Sequence, residues 1–112
     1  MITAKSLYNY YKDHMDEFPL KFEMVDSNGI RALTKTGKYF GGVSFEFANP
    51  YPSYTIGRRW SYLSEKTEKL QLDHNLESEK GVLDAFMDCA YLDIADERNA
   101  LNDVLKEFEE SF

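Results

Sequence analysis

The stretch LKFEMVDSNGIRALT, residues 20–34, decides the fold of this 112-residue chain. Over residues 20–25, apolar side chains alternate with Lys21 and Glu23, which is the period-two pattern of a half-buried strand. The next four residues, DSNG, favour a tight turn, and residues 30–34 predict the returning strand. The sequence therefore predicts a β-hairpin in its first third.

Further strands are predicted to follow this hairpin. A turn at residues 35–38 leads into a third strand at residues 39–47, where a Gly-Gly pair indicates a bulge. Two prolines exclude residues 48–53 from the interior of a sheet, so a loop is expected there. Residues 54–63 predict another strand, and residues 69–72 a weak last one. We therefore expect an antiparallel meander of four or five strands.

Helical patterns flank the predicted meander. Residues 3–17 form an amphipathic pattern that a threonine can cap and that Pro19 ends. From Ser78 onward a broad apolar stripe runs to the C-terminus, and Asp93 could cap a second helix within it. The acidic C-terminal segment is thus one kinked helix or two helices, packed with the first on one sheet face. The fold class is α+β.

The composition is that of one globular domain. With 43% hydrophobic and 15% aromatic residues, the chain can bury one core but is too short for two, so residues 1–112 are predicted to form a single domain. Neither a run of about 18 apolar residues nor a secretory signal pattern is present, so no membrane association is expected. The lone cysteine, Cys89, fits a reducing compartment, which predicts a cytoplasmic protein.

Charge is distributed unevenly along the chain. Residues 1–69 contain ten Lys or Arg and eight Asp or Glu, whereas residues 70–112 contain three and twelve. The two parts therefore carry +2 and −9, in agreement with −7 for the whole chain. This balance disfavours direct binding to nucleic acid, because phosphate contacts need clustered Lys and Arg. It predicts an acidic surface formed by the C-terminal part.

Groups suited to catalysis or to metal binding are few. Beyond carboxylates, lysines and tyrosines, the chain offers only His14, His74 and Cys89. His74 and Glu77 supply two metal ligands where zinc needs three or four. The apolar neighbours of Cys89 favour a buried thiol over a nucleophile, and no glycine spacing matches a phosphate-binding loop. We expect no catalytic residue, no metal site and no cofactor.

The acidic C-terminal part gives the strongest functional signal. Asp84 and Asp88 lie four residues apart, a spacing that places both on one helix face, and further acids recur at spacings of seven, four and three. Such carboxylates lie roughly 6 Å apart, close to the interval between phosphates along one nucleic-acid strand. Solubility alone also favours charge on an outer helix face. The predicted partner-binding residues are Asp84, Asp88, Asp96, Glu97, Asp103, Glu107 and Glu110, with Tyr51 and Tyr54 as apolar anchors.

A second group of residues combines basic and aromatic side chains. Arginines interleaved with aromatic rings are typical of single-strand nucleic-acid clamps and of protein interfaces. Trp60, however, is expected to fill the core between sheet and helices. A contact between this patch and the acidic segment of another copy would produce a homo-oligomer. The patch comprises Lys35, Lys38, Arg58, Arg59, Trp60, Tyr51 and Tyr54.

These features predict a small acidic, non-catalytic interaction protein that docks an acidic helical face onto a basic protein surface, such as that of a nuclease or another nucleic-acid enzyme. Phage anti-defence inhibitors, including anti-restriction and anti-CRISPR proteins, and immunity proteins of basic toxins are of this type. The alternative is a small-molecule-binding or enzymatic α+β module with a pocket between sheet and helices, lined by Tyr39, Tyr62 and Tyr91. A subunit that bridges two larger proteins is a third interpretation.

Overall fold

The computed structural model describes residues 2–45, 51–96, 106, 107 and 110. The elements in chain order are α1 (Ala4–Asp13), a single 3-10 turn (Met15–Glu17), β1 (Lys21–Asp26), β2 (Gly29–Leu33), β3 (Tyr39–Ser44), β4 (Ser53–Ile56), β5 (Arg59–Tyr62), α2 (Leu63–Lys69) and α3 (Glu79–Asp96). The strands form one antiparallel sheet in the order β1-β2-β3-β4-β5. The predicted α+β class, with a meander between helical segments, is confirmed. None of the helices within the described residues has both the length and the apolarity needed to cross a membrane.

Residues 54–63 form a hairpin and not the single strand that their alternating pattern predicted. Gly57 adopts a φ of 58°, and together with Arg58 it turns β4 back into β5. Arg59 then pairs with Ile56 across the turn. Glycine reaches this backbone region without the steric penalty that a Cβ would bring. The alternation continues across the two-residue turn, and this continuity concealed the reversal.

The weak strand predicted at residues 69–72 is wrong, because this segment ends a helix. After α2, Gln71 adopts a φ of 57°. Its amide donates to the carbonyl of Glu68, and the amide of Leu72 donates to the carbonyl of Thr67. A left-handed residue that lets the last carbonyls of a helix find donors is a common C-terminal cap.

Both long helices begin at caps that the sequence predicted. At α1, Thr3 and Ser6 form a reciprocal capping box, with side-chain oxygens 2.8 and 3.0 Å from the partner's amide. At α3, the hydroxyl of Ser78 accepts from the amide of Gly81 at 3.0 Å. Asp93 lies inside α3 and does not cap a second helix. The predicted kink or second helix beyond it falls in a stretch that lies largely outside the described residues.

The hydrophobic core lies between the sheet and the helices, and Phe86 of α3 is at its centre. The Phe86 ring lies 5.9 Å from that of Phe22, 6.4 Å from that of Phe40 and 6.5 Å from that of Tyr54, measured between centroids. All four side chains are buried, and their edge-to-face geometry is the favourable one for aromatic rings. These four side chains occupy the centre of the space between the sheet and the helices.

Close approach between strands explains the Gly-Gly pair. A Cβ on Gly41 would lie 2.0 Å from the carbonyl oxygen of Thr55, and one on Gly42 would lie 2.7 Å from that of Ile30. The predicted irregularity lies beside the pair, because the β2–β3 register shifts around Phe40. These glycines therefore set the spacing of the central strands.

The two faces of the sheet differ in exposure. Ile30, Val43 and Tyr54 pair across β2, β3 and β4, and all three are buried on the helix side. Side chains alternate along a strand, so Thr55 points to the opposite face. Its partner on β5 is Trp60, which is 54% exposed. The prediction that Trp60 fills the core is therefore wrong, because the register of β5 places it away from the helices.

Candidate docking surface

Helix α3 is buried around most of its circumference. Its residues 81–83, 85–87, 89 and 90 are buried, as expected for a helix that packs on both the sheet and its neighbouring helices. One line of side chains remains accessible, at spacings of three and four residues that place its members on one helix face. We call it the α3 stripe. It comprises Lys80, Asp84, Asp88, Tyr91 and Leu92.

Two carboxylates lie in the α3 stripe, and each has a local partner. Asp84 accepts from the ammonium of Lys80 at 2.5 Å, and this hydrogen bond raises the pKa of Lys80. Asp88, whose side chain is 54% exposed, lies 2.7 Å from Nε2 of His74. The Lys80–Asp84 pair is exposed on both sides, and pairs of this kind contribute little to stability; in the second pair Asp88 is the exposed member. Both carboxylates can therefore exchange these contacts for cations of another protein.

Apolar side chains continue the α3 stripe beyond the carboxylates. Tyr91 is 57% exposed and Leu92 43% exposed. They border a shallow depression of about 370 Å³ that Leu72, Met87 and Asp88 also line. Tyrosine anchors beside polar groups are frequent in protein interfaces. Sequence reasoning did not identify Leu92 and assigned Tyr91 to a ligand pocket, although both follow Asp84 at helical spacings.

A second depression extends the acidic surface toward the end of α1. It is lined by Glu17, Pro19, His74, Asp84 and Asp88, together with Phe18 and Met87. Three carboxylates thus face one concave region that adjoins the apolar depression through Met87 and Asp88. The result is a continuous surface with acidic groups at one end and apolar groups at the other.

Beyond the α3 stripe, the structure describes only some of the acids that were predicted to form a row. Asp96 is the last residue of α3. Glu110 is exposed. Glu97 and Asp103 lie outside the described residues. Asp84 and Asp88 are therefore the two predicted acids that the structure brings together.

Glu107 contacts its own sheet. Its carboxylate accepts a hydrogen bond from the hydroxyl of Thr36 and lies 3.1 Å from the ammonium of Lys38. The hydrogen bond from Thr36 is the main cause, with the contribution of Lys38, of a lowered pKa for Glu107. The turn between β2 and β3 thus already holds this acid, which the sequence had assigned to a partner surface.

The two predicted tyrosine anchors have different environments. Tyr51 is exposed. Tyr54 is almost completely buried, and its hydroxyl donates to the carboxylate of Asp93 at 2.5 Å. Its prediction as a partner-binding residue is wrong, because the strand register directs its ring toward Phe86.

A buried carboxylate was missed among the twelve acids of residues 70–112. Asp93 is buried, and its second oxygen lies 2.7 Å from the ammonium of Lys66 on α2. It follows the buried Phe86 and Cys89 at spacings of seven and four, so the helical period alone would have placed it on the inner face. Together with Tyr54, it links α2, α3 and β4. It contributes to packing and not to the acidic surface.

The remaining titratable groups offer little chemistry. Burial, followed by the charge of Asp93, raises the pKa of the Cys89 thiol to about 12, which disfavours a thiolate nucleophile. Within the described part of the chain, no three His, Cys, Asp or Glu side chains form a group that could hold a metal ion. The arrangement offers charge and apolar surface. No family model matches the sequence, and comparisons with curated proteins and with solved structures found no significant similarity.

Proposed function

We propose that this chain is a small, non-catalytic interaction protein that docks the α3 stripe onto a basic surface of another protein. The observation that carries the proposal is that a helix buried on its other sides exposes two carboxylates directly beside Tyr91 and Leu92. Solubility accounts for exposed acids but not for an adjoining exposed tyrosine and leucine. A binding role accounts for both.

Electrostatics favour a cationic partner. Residues 70–112 carry a net charge of −9. On α3, two of these acids, Asp84 and Asp88, lie on the accessible face of the helix. Proteins that bind nucleic acid expose clustered Lys and Arg, so a nuclease or another nucleic-acid enzyme is the partner class that fits. A chain of this kind would act as an inhibitor or modulator, in the manner of a phage anti-defence or anti-CRISPR protein or of an immunity protein.

Binding exchanges one set of ion pairs for another. A partner arginine that reaches Asp84 displaces Lys80, which returns to solvent, and one that reaches Asp88 binds a carboxylate that is itself 54% exposed. The favourable contribution to binding is then the gain of a bidentate arginine pair together with burial of Tyr91 and Leu92.

Cytoplasm is the compartment we propose, which the free thiol of Cys89 supports.

The decisive test compares two double charge reversals. Asp84→Lys with Asp88→Lys changes the α3 stripe, whereas Glu65→Lys with Glu68→Lys makes the same change in charge at exposed positions of α2. The immobilised proteins capture partners from the source cell at low and moderate salt, and mass spectrometry quantifies them. We expect the stripe variant to lose a basic partner that the α2 variant and the unmodified chain retain. Equal retention by both variants contradicts the proposal.

The apolar end of the α3 stripe needs a separate test. Tyr91→Ala is expected to weaken the captured complex by about tenfold or more, because a large exposed ring would be buried in it. The salt dependence of the affinity should remain that of the unmodified chain, since no charge changes. An unchanged affinity would exclude Tyr91 from the interface.

A further inference from the structure

The face of the sheet opposite the helices carries an ordered surface of its own. Arg31 pairs with Gly42, Gly42 with Thr55, and Thr55 with Trp60, so these four residues form one row across β2, β3, β4 and β5. The row one residue away, at Ile30, Val43 and Tyr54, is the buried one. We call the outward surface the open face. It comprises Arg31, Tyr39, Gly42, Thr55 and Trp60.

The middle of the open face is formed by small residues that lie between larger side chains. Gly42 and Thr55 lie in the middle of the row, with Arg31 at one end and Trp60 at the other, and Tyr39 lines the same groove as Gly42. A groove of about 400 Å³ is lined by Arg31, Tyr39, Gly42 and Thr55, among others. This shape suits an extended chain laid across the strands better than a small enclosed ligand.

Two exposed aromatic rings provide anchoring surface. Tyr39 is 52% exposed, and Trp60 is exposed to a similar degree. The indole of Trp60 lies 5.0 Å from the ring of Tyr62 in an edge-to-face contact, which restricts its orientation. Tryptophan, tyrosine and arginine are the residue types that contribute most to binding at protein interfaces. The open face presents all three together.

The open face and its adjoining turns are basic on an acidic protein. Five exposed cations and three carboxylates give this surface a net charge of +2, whereas the whole chain carries −7. Arg31 donates from Nε and Nη2 to Glu23, at 3.0 and 2.8 Å, so its guanidinium is held in place on the sheet. The cations are Lys21, Arg31, Lys35, Lys38 and Arg58, and the carboxylates are Glu23, Asp26 and Glu107.

A carboxylate already sits at the basic end of this surface. Glu107 contacts Thr36 and Lys38 in the β2–β3 turn, so this end of the surface binds a carboxylate within the protein itself.

A nucleic-acid strand would bring one negative charge per nucleotide toward a protein that is itself strongly negative. A peptide that interleaves a few carboxylates with apolar side chains meets less repulsion and also buries Tyr39 and Trp60.

We propose that the open face binds an acidic, extended segment of a second protein, whose carboxylates engage Arg31 and Arg58 and whose apolar side chains pack between Tyr39 and Trp60. The proposal is independent of the α3 stripe, which lies on a helix packed against the other side of the sheet and has the opposite charge. A chain with both surfaces can bridge a basic protein and an acidic one.

Trp60 allows a direct test, because it is the single tryptophan of the chain. The probe is a short peptide in which glutamate alternates with tyrosine, titrated into the intact protein while tryptophan emission is excited selectively. The matched probes are the same peptide with lysine in place of glutamate and a short thymidine oligonucleotide. We expect a saturable blue shift of the Trp60 emission with the glutamate peptide alone, since binding removes the indole from water.

Charge-reversal variants locate the binding site. Arg31→Glu with Arg58→Glu should weaken binding of the glutamate peptide by about tenfold or more, because charge-assisted hydrogen bonds are lost. The control, Lys5→Glu with Lys69→Glu, makes the same charge change on α1 and α2 and should leave binding within about twofold, since distant exposed charges are screened. Far-UV circular dichroism verifies that both variants fold.

Three results would overturn the proposal. The first is that no peptide shifts the Trp60 emission. The second is equal weakening by both double variants, which would indicate binding to overall charge. The third is a shift by the thymidine oligonucleotide as large as that by the glutamate peptide, which would assign the open face to single-stranded nucleic acid. None of these results depends on whether the α3 stripe binds a partner.

Discussion

Replacing Asp93 by alanine tests the internal polar network. The carboxylate accepts from the hydroxyl of Tyr54 at 2.5 Å and lies 2.7 Å from the ammonium of Lys66, so one substitution removes the partner of two groups. A hydrogen bond to a charged group contributes about 1.5 to 3 kcal/mol. The hydroxyl of Tyr54 would then be buried without its acceptor, which adds to the loss.

The expected loss is at the lower end of the range for a broken buried ion pair, which is about 3 to 5 kcal/mol. The reason is that the side chain of Lys66 is 19% exposed and can regain water once Asp93 is gone. We therefore expect Asp93→Ala to lower the free energy of unfolding by about 3 kcal/mol. Tyr54→Phe removes one of the two contacts and should lower it by about 1.5 kcal/mol.

Urea unfolding followed by far-UV circular dichroism measures these changes, because the exposed Trp60 is a poor reporter of core loss. The matched control is Asp88→Ala on the same helix, whose carboxylate is 54% exposed and whose pair with His74 is expected to contribute at most about 1 kcal/mol. If Asp93→Ala and Asp88→Ala destabilise the protein equally, the network around Asp93 stabilises the fold no more than the pair of Asp88 with His74 does.

The network also gives a pH dependence. Burial, together with the hydrogen bond to Asp93, raises the pKa of Tyr54 above its ordinary value of 10.0. The folded state therefore holds the phenolic proton more tightly than the unfolded state does. This contribution to stability is complete below pH 10 and is lost as the pH rises above it. The alkaline loss should be smaller in Tyr54→Phe, and an identical loss in both proteins would contradict the assignment.

Three further predictions concern the core and the caps. Gly41→Ala places a Cβ 2.0 Å from the carbonyl oxygen of Thr55 and should destabilise the protein by about 3 kcal/mol in urea unfolding; a neutral effect would show that β3 and β4 separate easily. Cys89, buried and with its pKa raised to about 12, should react with iodoacetamide far more slowly in the native protein than in urea; equal rates would contradict its burial. Thr3→Ala removes the acceptor for the amide of Ser6 and should lower stability by about 1 kcal/mol in urea unfolding; unchanged stability would show that this cap does not hold the first turn in solution.

The two proposed surfaces have opposite chemistry because the fold separates them. Helix α3 buries its apolar sides against the sheet and keeps Asp84 and Asp88 on the outside. The sheet in turn directs Arg31 and Trp60 away from that helix. A strongly negative total charge therefore conceals a basic surface, which only a spatial description separates from the acidic one.

Local signals in the sequence were sufficient for much of the fold. Period-two alternation predicted the first hairpin, Thr3 and Ser78 were predicted as caps, and the apolar neighbours of Cys89 predicted its burial. Each of these features depends on residues that are close to one another in sequence, so it can be predicted from the local pattern alone. The α+β class and the position of Asp84 and Asp88 on the same helix face follow from the same short-range periods.

The location of the functional side chains required the tertiary structure. Alternation shows that a strand has two faces but not which face the helices cover, so Trp60 and Tyr54 were assigned to the wrong sides. Charge counts included Asp93 among the acids of residues 70–112 and did not separate it from the surface acids, because its partner Lys66 lies on another helix. The turn at Gly57 sets the register that separates these residues, and it depends on pairing between strands rather than on any local period. Sequence by itself determined the elements, and packing between distant elements decided which side chains face a partner.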